Sequence, residues 1–165
     1  MEAMEGSKDK KILIIVHQET STPGRIGVML RAMGFALDIR RPSLGDALPE
    51  TMDEHAGAVV FGGPMSANDP EPWIAREIDW IGVPLKEQKP FLGVCLGAQM
   101  LAKHLGGTVG SHAEERVEIG YYPIYPVNGG DGINDWPQEV YQWHRESFTL
   151  PREAKLFARG EHFEN

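Results

Sequence analysis

The sequence predicts an α/β protein with an open, mostly parallel sheet, helices on both faces of it, and a short antiparallel part in the second half. Three observations predict this class. Residues 12–16 are an unbroken aliphatic run, which is typical of a strand buried on both faces of a parallel sheet. Segments with a strand pattern alternate with helical segments, as in sheets built by right-handed crossovers. Residues 116–127 alternate and are rich in tyrosine and β-branched residues, which indicates antiparallel strands.

The individual elements follow in chain order after the first strand. A proline in the cap segment Ser21-Thr22-Pro23 favours a helix start there, and paired glycines favour helix ends. We expect helices at 24–33, at 69–88 with a break at Pro84, and at 98–105. Further strands are expected at 35–40, 57–61, 90–94 and 140–144, and a tight turn at 128–132.

Composition limits the class of function. The net charge of −8 and pI near 5.2 argue against a nucleic-acid partner, because neutralising phosphates requires a basic face. Residues 1–11 are polar and lysine-rich, so we interpret them as a flexible leader, and no apolar run is long enough to span a membrane. A single cysteine suits a reducing compartment. We therefore expect one cytoplasmic domain over residues 12–165, with no membrane partner.

The only cysteine lies in Gly93-Val94-Cys95-Leu96-Gly97, between a predicted strand and a predicted helix. A sharp strand-to-helix turn lifts its central side chain clear of the sheet, and flanking glycines let the two elements approach closely. A helix N-terminus also favours the thiolate over the thiol. A lone cysteine is more often a small buried hydrophobe. Its position in this elbow leads us to interpret Cys95 as a nucleophile.

A cysteine that attacks a carboxamide needs donors for the oxyanion. The backbone N–H of Leu96 is the natural first donor, and Gly63 can supply the second from a loop without side chains. The alternative interpretation of Gly62-Gly63-Pro64 is a simple turn after a strand. This loop is not followed by Gly-Lys-Ser/Thr, so it is not a nucleotide P-loop, and no pair of histidines has the short spacing of a zinc site. We expect neither a metal nor a cofactor.

A general base should be a histidine oriented by a carboxylate. His144 is the best internal candidate, because it ends a strand-like run and Glu146 follows two residues later, although a surface histidine near a loop is an equal alternative. His17 ends the first strand at the same sheet edge as the elbow, but it could equally cap a loop. His104 lies about 13 Å along the helix from Cys95, which is too far for direct contact.

The Gly-Gly-Pro segment and the Gly-Val-Cys-Leu-Gly-Ala-Gln segment together resemble class I glutamine amidotransferases, a family with a flavodoxin-like sheet, and in particular its GMP synthase-like members. The resemblance implies that Cys95 attacks the side-chain amide of glutamine to give a γ-glutamyl thioester and ammonia. It places Gly63 and Leu96 at the oxyanion positions and Gln99 at a substrate-holding position.

Other segments match the family more loosely. Glu118-Ile119-Gly120-Tyr121 looks like the segment whose backbone contacts the α-amino and carboxylate groups of glutamine, so Gly120 and Tyr121 are expected to bind substrate. The segment from Trp143 to Phe148 resembles a block near the site. The resemblance also implies a synthetase domain or subunit that accepts the ammonia.

The family's catalytic His-Pro-Glu would fall beyond Asn165, so Cys95 has no family-matched base in this sequence. We interpret the chain as part of a longer protein whose C-terminal part is missing, and as impaired in this form. Two alternatives stay open: a γ-glutamyl peptide hydrolase of the same fold, and a catalytically impaired binding or regulatory module.

Overall fold

The chain groups into two units, Met1–Leu101 and Ala102–Asn165, in a computed structural model that describes residues 11–127 and 135–163. The predicted turn at 128–132 and residues 1–10 of the predicted leader lie outside the described residues. Lys11, the last residue of that leader, begins the first strand instead, because it pairs with Ala36 and His55 on the neighbouring strands.

The first unit is built on a four-stranded parallel sheet of β1 (Lys11–Ile15), β2 (Ala36–Arg40), β3 (His55–Val60) and β4 (Phe91–Gly93). Its strand order is β2-β1-β3-β4. The aliphatic run of β1 is buried, as expected for an interior strand, and Ile12, Ile14 and Val16 pack with Val59 in the core. The order reverses between β1 and β3, which is the switch point where open α/β sheets hold their sites.

The helices connect these strands. They are α1 (Gly24–Ala32), α2 (Pro72–Trp80), α3 (Gly82–Lys86) and α4 (Leu96–His104), with a 3₁₀ turn at Pro42–Leu44. The helix predicted at 69–88 is therefore two helices, and the break falls at Ile81 rather than at Pro84. The reason is that Pro84 has no N–H to donate to the carbonyl one turn earlier, so the helical ladder is interrupted ahead of the proline.

The second unit contains antiparallel strands, as the alternating pattern predicts. The strands are β5 (Val109–Ser111), β6 (Glu118–Pro126), β7 (Glu139–His144), β8 (Glu146–Phe148) and β9 (Ala158–Gly160). A three-stranded sheet has the order β7-β6-β9, and β5 pairs with β8. The parallel sheet with its helices and these antiparallel strands confirm the predicted fold class. None of the helices in the described ranges is long and apolar enough to cross a membrane.

Candidate functional site

Three segments that follow parallel strands meet at one edge of the sheet in the first unit. His17 follows β1, the glycine loop (Gly62 and Gly63) follows β3, and Cys95 follows β4. Parallel strands bring their carboxyl ends to the same edge, which explains why residues so distant in sequence lie together. Sequence reasoning placed all three at this edge.

The backbone at Cys95 is strained in the way that a nucleophile elbow requires. Its φ of +53° lies in the left-handed region, which costs a non-glycine residue about 1–3 kcal/mol. The flanking glycines are sterically required. A Cβ on Gly93 would lie 2.7 Å from the backbone nitrogen of Ala98, and a Cβ on Gly97 would overlap the backbone of Val60. The close approach of β4, α4 and β3 therefore depends on both glycines.

Two backbone N–H groups donate to the thiol of Cys95, those of Leu96 and Gly63. They are the two groups that the sequence suggested as oxyanion donors. Although Cys95 is exposed to solvent, the atoms around its sulfur desolvate it, and this raises the pKa of the thiol. The hydrogen bonds from Leu96 and Gly63 lower the pKa by less, so the net direction is upward. The helix N-terminus alone suggested a lowered pKa, and desolvation outweighs its N–H groups here.

The glycine loop is held between Cys95 on one side and His17 on the other. A Cβ on Gly62 would lie 3.0 Å from the Cβ and 3.4 Å from the Sγ of Cys95. A Cβ on Gly63 would lie 3.2 Å from the Cβ of His17 and 3.3 Å from a methyl group of Leu96. A side chain at Gly62 would therefore press on Cys95, and one at Gly63 would press on His17 and Leu96, so neither position has free room for a Cβ.

His17 is not free to act as a base toward Cys95, because both of its ring nitrogens have other partners. Nε2 lies 2.9 Å from Oε1 of Glu77 on α2, and Nδ1 lies 3.1 Å from the carbonyl oxygen of Gly62. Both side chains of the pair are fully buried. Burial lowers the pKa of His17, but the hydrogen bond and charge of Glu77 and the Gly62 carbonyl together raise it by more.

Sequence reasoning missed Glu77. A signal was available, since Glu77 lies on the buried side of α2 together with Ile74 and Trp80. A carboxylate in the apolar stripe of an amphipathic helix indicates a buried partner.

Gln99 lies on the first turn of α4 and is buried. Its backbone N–H donates to the Cys95 carbonyl oxygen at 3.0 Å, so the helical ladder fixes its position relative to the elbow. The substrate-holding role implied for its side chain remains a prediction.

The other predicted site residues belong to the second unit. Gly120 has a φ of +129°, and Tyr121 beside it on β6 is 71% exposed. His144 lies opposite Glu118 in the β6–β7 register, with Nε2 3.0 Å from Oε2 of that buried glutamate. Nδ1 of His144 contacts the backbone carbonyl oxygen of Glu146, at 3.1 Å. The carboxylate that faces His144 is thus that of Glu118. The alternating pattern gave no signal for it, because it groups the apolar residues Ile119 and Tyr121 on the opposite face, and the structure leaves those side chains exposed.

The fold and this edge of the sheet define an α/β protein with a cysteine in a strand-to-helix elbow beside a glycine loop. Comparison with known proteins gives the family: class-I glutamine amidotransferase matches residues 24–162 of the chain. The chain belongs to the class-I glutamine amidotransferase family.

Two relatives and one solved structure are similar to this chain over most of its length. The glutamine amidotransferase-like protein YfeJ of Salmonella typhimurium is 28% identical over 92% of the chain and 66% of its own length. The glutamine-hydrolysing GMP synthase of Aeropyrum pernix is 34% identical over 79% of the chain and 25% of its own length. A crystal structure of a glutamine amidotransferase from Thermotoga maritima superposes with a TM-score of 0.85 at 32% identity, covering 94% of this chain and 69% of that one. The chain therefore spans less than two thirds of the length of the first two relatives.

Proposed function

We propose that the protein is the glutamine-hydrolysing part of an amidotransferase, and that Cys95 is its nucleophile. The thiol sulfur attacks the side-chain carbonyl carbon of glutamine. Collapse of the resulting tetrahedral adduct breaks the carbon–nitrogen bond; the nitrogen leaves as ammonia with the proton that the thiol gave up, and a γ-glutamyl thioester remains on Cys95. Water then cleaves the thioester to glutamate and regenerates the thiol.

The single observation that carries this proposal is the pair of N–H donors, from Leu96 and Gly63, that converge on the Cys95 sulfur. Donors that meet at a nucleophile are placed to stabilise the oxyanion that forms when it attacks a carbonyl. The strained elbow at Cys95 supports the same role, because strain of this kind is found where a side chain must be presented for chemistry.

Residues beyond the elbow contribute substrate contacts in this proposal. Gln99 is assigned a substrate-holding role, and Gly120 and Tyr121 are assigned to the α-amino and carboxylate groups of glutamine. His144 and Glu146 are assigned a place near the site. The ammonia passes to a synthetase domain or subunit, since relatives of the chain include a GMP synthase and GMP synthase A subunits.

The test measures glutamate release from glutamine and covalent labelling by a γ-diazoketone analogue of glutamine. Because Cys95 is the chain's only cysteine, the labelled residue is unambiguous in a mass spectrum. We expect labelling of the wild type at one site per chain, prevented by excess glutamine and absent from Cys95→Ser. A wild-type protein that neither hydrolyses glutamine nor takes the label would refute the proposal. Faster turnover of γ-glutamyl dipeptides than of glutamine would instead identify a peptide hydrolase.

A further inference from the structure

The buried pair of His17 and Glu77 has no role in the proposed chemistry, yet it touches the glycine loop directly. Nδ1 of His17 lies 3.1 Å from the Gly62 carbonyl oxygen, and its Nε2 lies 2.9 Å from Glu77. The ring of Trp73 lies 5.6 Å from the His17 ring, and Ser43 donates to the His17 backbone carbonyl, so the imidazole is enclosed. The titratable side chain facing His17 across its hydrogen bonds is Glu77.

The proton positions in this arrangement follow from the acceptors. The Gly62 carbonyl oxygen can only accept, so Nδ1 of His17 must carry a proton. The contact between Nε2 and Glu77 requires a second proton, which the imidazolium or the carboxylic acid supplies. In either case Glu77 keeps the imidazole oriented with its Nδ1–H on Gly62.

The hydrogen bond to Gly62 determines the direction of the next N–H group. The peptide bond between Gly62 and Gly63 is trans, so the Gly62 carbonyl and the Gly63 N–H point in opposite directions within one plane. A donor that holds the carbonyl toward His17 therefore holds the N–H toward the other side of the loop. That N–H donates to the Cys95 sulfur.

We propose that His17 and Glu77 are positioning residues that hold the Gly62–Gly63 peptide plane and so direct the Gly63 N–H at the Cys95 sulfur. This inference rests on the proposed function only in treating that N–H as an oxyanion donor. A contribution to fold stability explains the buried His17–Glu77 pair less well than this positioning role does. Replacing a buried ion pair by apolar residues of similar size is often neutral or stabilising. Glycine backbones are also conformationally permissive, so contacts from outside the loop are required to fix the orientation of the Gly62–Gly63 peptide.

The test uses alkylation of Cys95 by iodoacetamide as a function of pH, which reports the pKa of the thiol without requiring glutamine turnover. His17→Gln places its amide toward Glu77 and loses the donor to Gly62, whereas His17→Asn places its amide where Nδ1 lies. We expect His17→Gln to raise the alkylation midpoint by about one pH unit, which is about tenfold slower alkylation below the midpoint. His17→Asn should restore most of that loss.

A double variant, His17→Leu with Glu77→Leu, separates positioning from folding. It removes the donor without leaving a buried charge, so it should unfold at a temperature close to that of the wild type while its alkylation midpoint also rises by about one unit. The matched control is His55→Gln. His55 is also a buried histidine, and its ring contacts Asp38 at 2.9 Å, but it begins β3, whereas the glycine loop follows the other end of that strand. The midpoint of this control should equal that of the wild type.

Two results would overturn the inference. One is a folded double variant with the wild-type midpoint, and the other is His17→Asn shifting the midpoint as much as His17→Gln does. If the midpoints shift as expected while the wild type neither releases glutamate nor takes the γ-diazoketone label, the proposed function fails and the positioning role stands. If the wild type is active and the midpoints do not move, the positioning role alone fails.

Discussion

Replacing Gly97 by alanine tests whether the elbow depends on contact between α4 and β3. The new Cβ would lie 2.7 Å from the carbonyl carbon and 2.9 Å from the Cβ of Val60, and would overlap the carbonyl oxygen as well. Ordinary contact begins near 3.4 Å, and the carbonyl oxygen is the nearest of the three atoms, so the helix start must move by more than the 3.4 − 2.7 = 0.7 Å that the carbonyl carbon alone would require. Two of these atoms belong to the backbone of a buried strand and cannot rotate away.

The expected change in the free energy of unfolding is the sum of two opposing effects. Overpacking of this kind costs about 3 kcal/mol, and the better helix propensity of alanine returns about 1 kcal/mol. The net loss of about 2 kcal/mol lowers the melting temperature by about 4–8 °C for a chain of this size. Because Leu96 and Cys95 move with the helix start, we also expect slower alkylation of the thiol.

Thermal unfolding followed by circular dichroism, together with the alkylation rate, measures both effects. The matched control is Gly110→Ala, since a Cβ there meets nothing within 4 Å and its φ is not positive. Gly110→Ala should melt within about 2 °C of the wild type. The reasoning is refuted if Gly97→Ala melts as the control does and its thiol reacts at the wild-type rate.

Two further predictions concern hydrogen-bonded side-chain pairs. Asp38 accepts from Arg40 at 2.8 Å, and this hydrogen bond holds the pKa of Asp38 below its usual range. The stabilisation is therefore present above the unfolded pKa of about 3.9 and is lost as the pH falls through the folded value. Asp38→Asn should cost about 1 kcal/mol in urea unfolding at neutral pH and much less near pH 3, and an equal cost at both pH values would contradict this. Glu118→Ala should lower stability by about 3 kcal/mol, because it leaves His144 without its carboxylate, whereas Glu118→Gln keeps a hydrogen-bonding group and should lose less. Thermal melts that do not separate these two variants would contradict that reasoning.

The sequence was sufficient to predict elements that local pattern determines. Burial on both faces of β1 follows from its aliphatic run, and the elbow follows from glycines on both sides of Cys95. The pairing of His17 with Glu77 spans 60 positions, and no local pattern specifies which buried polar groups meet across such a distance. The helix break was predicted at Pro84 but falls at Ile81 for a different, local reason, since a proline removes a hydrogen bond to the turn before it.

The two N–H donors at the thiol differ in what fixes them, and this difference explains where the buried pair lies. The N–H of Leu96 is the first of α4, so the helix that follows sets its direction. The N–H of Gly63 belongs to a loop that lies in neither a strand nor a helix and has no side chain to restrain it. A donor of this kind works only if its peptide plane is held from outside, and a carbonyl that accepts from a buried imidazole provides that hold. The His17–Glu77 pair therefore lies beside the donor whose own backbone does not position it.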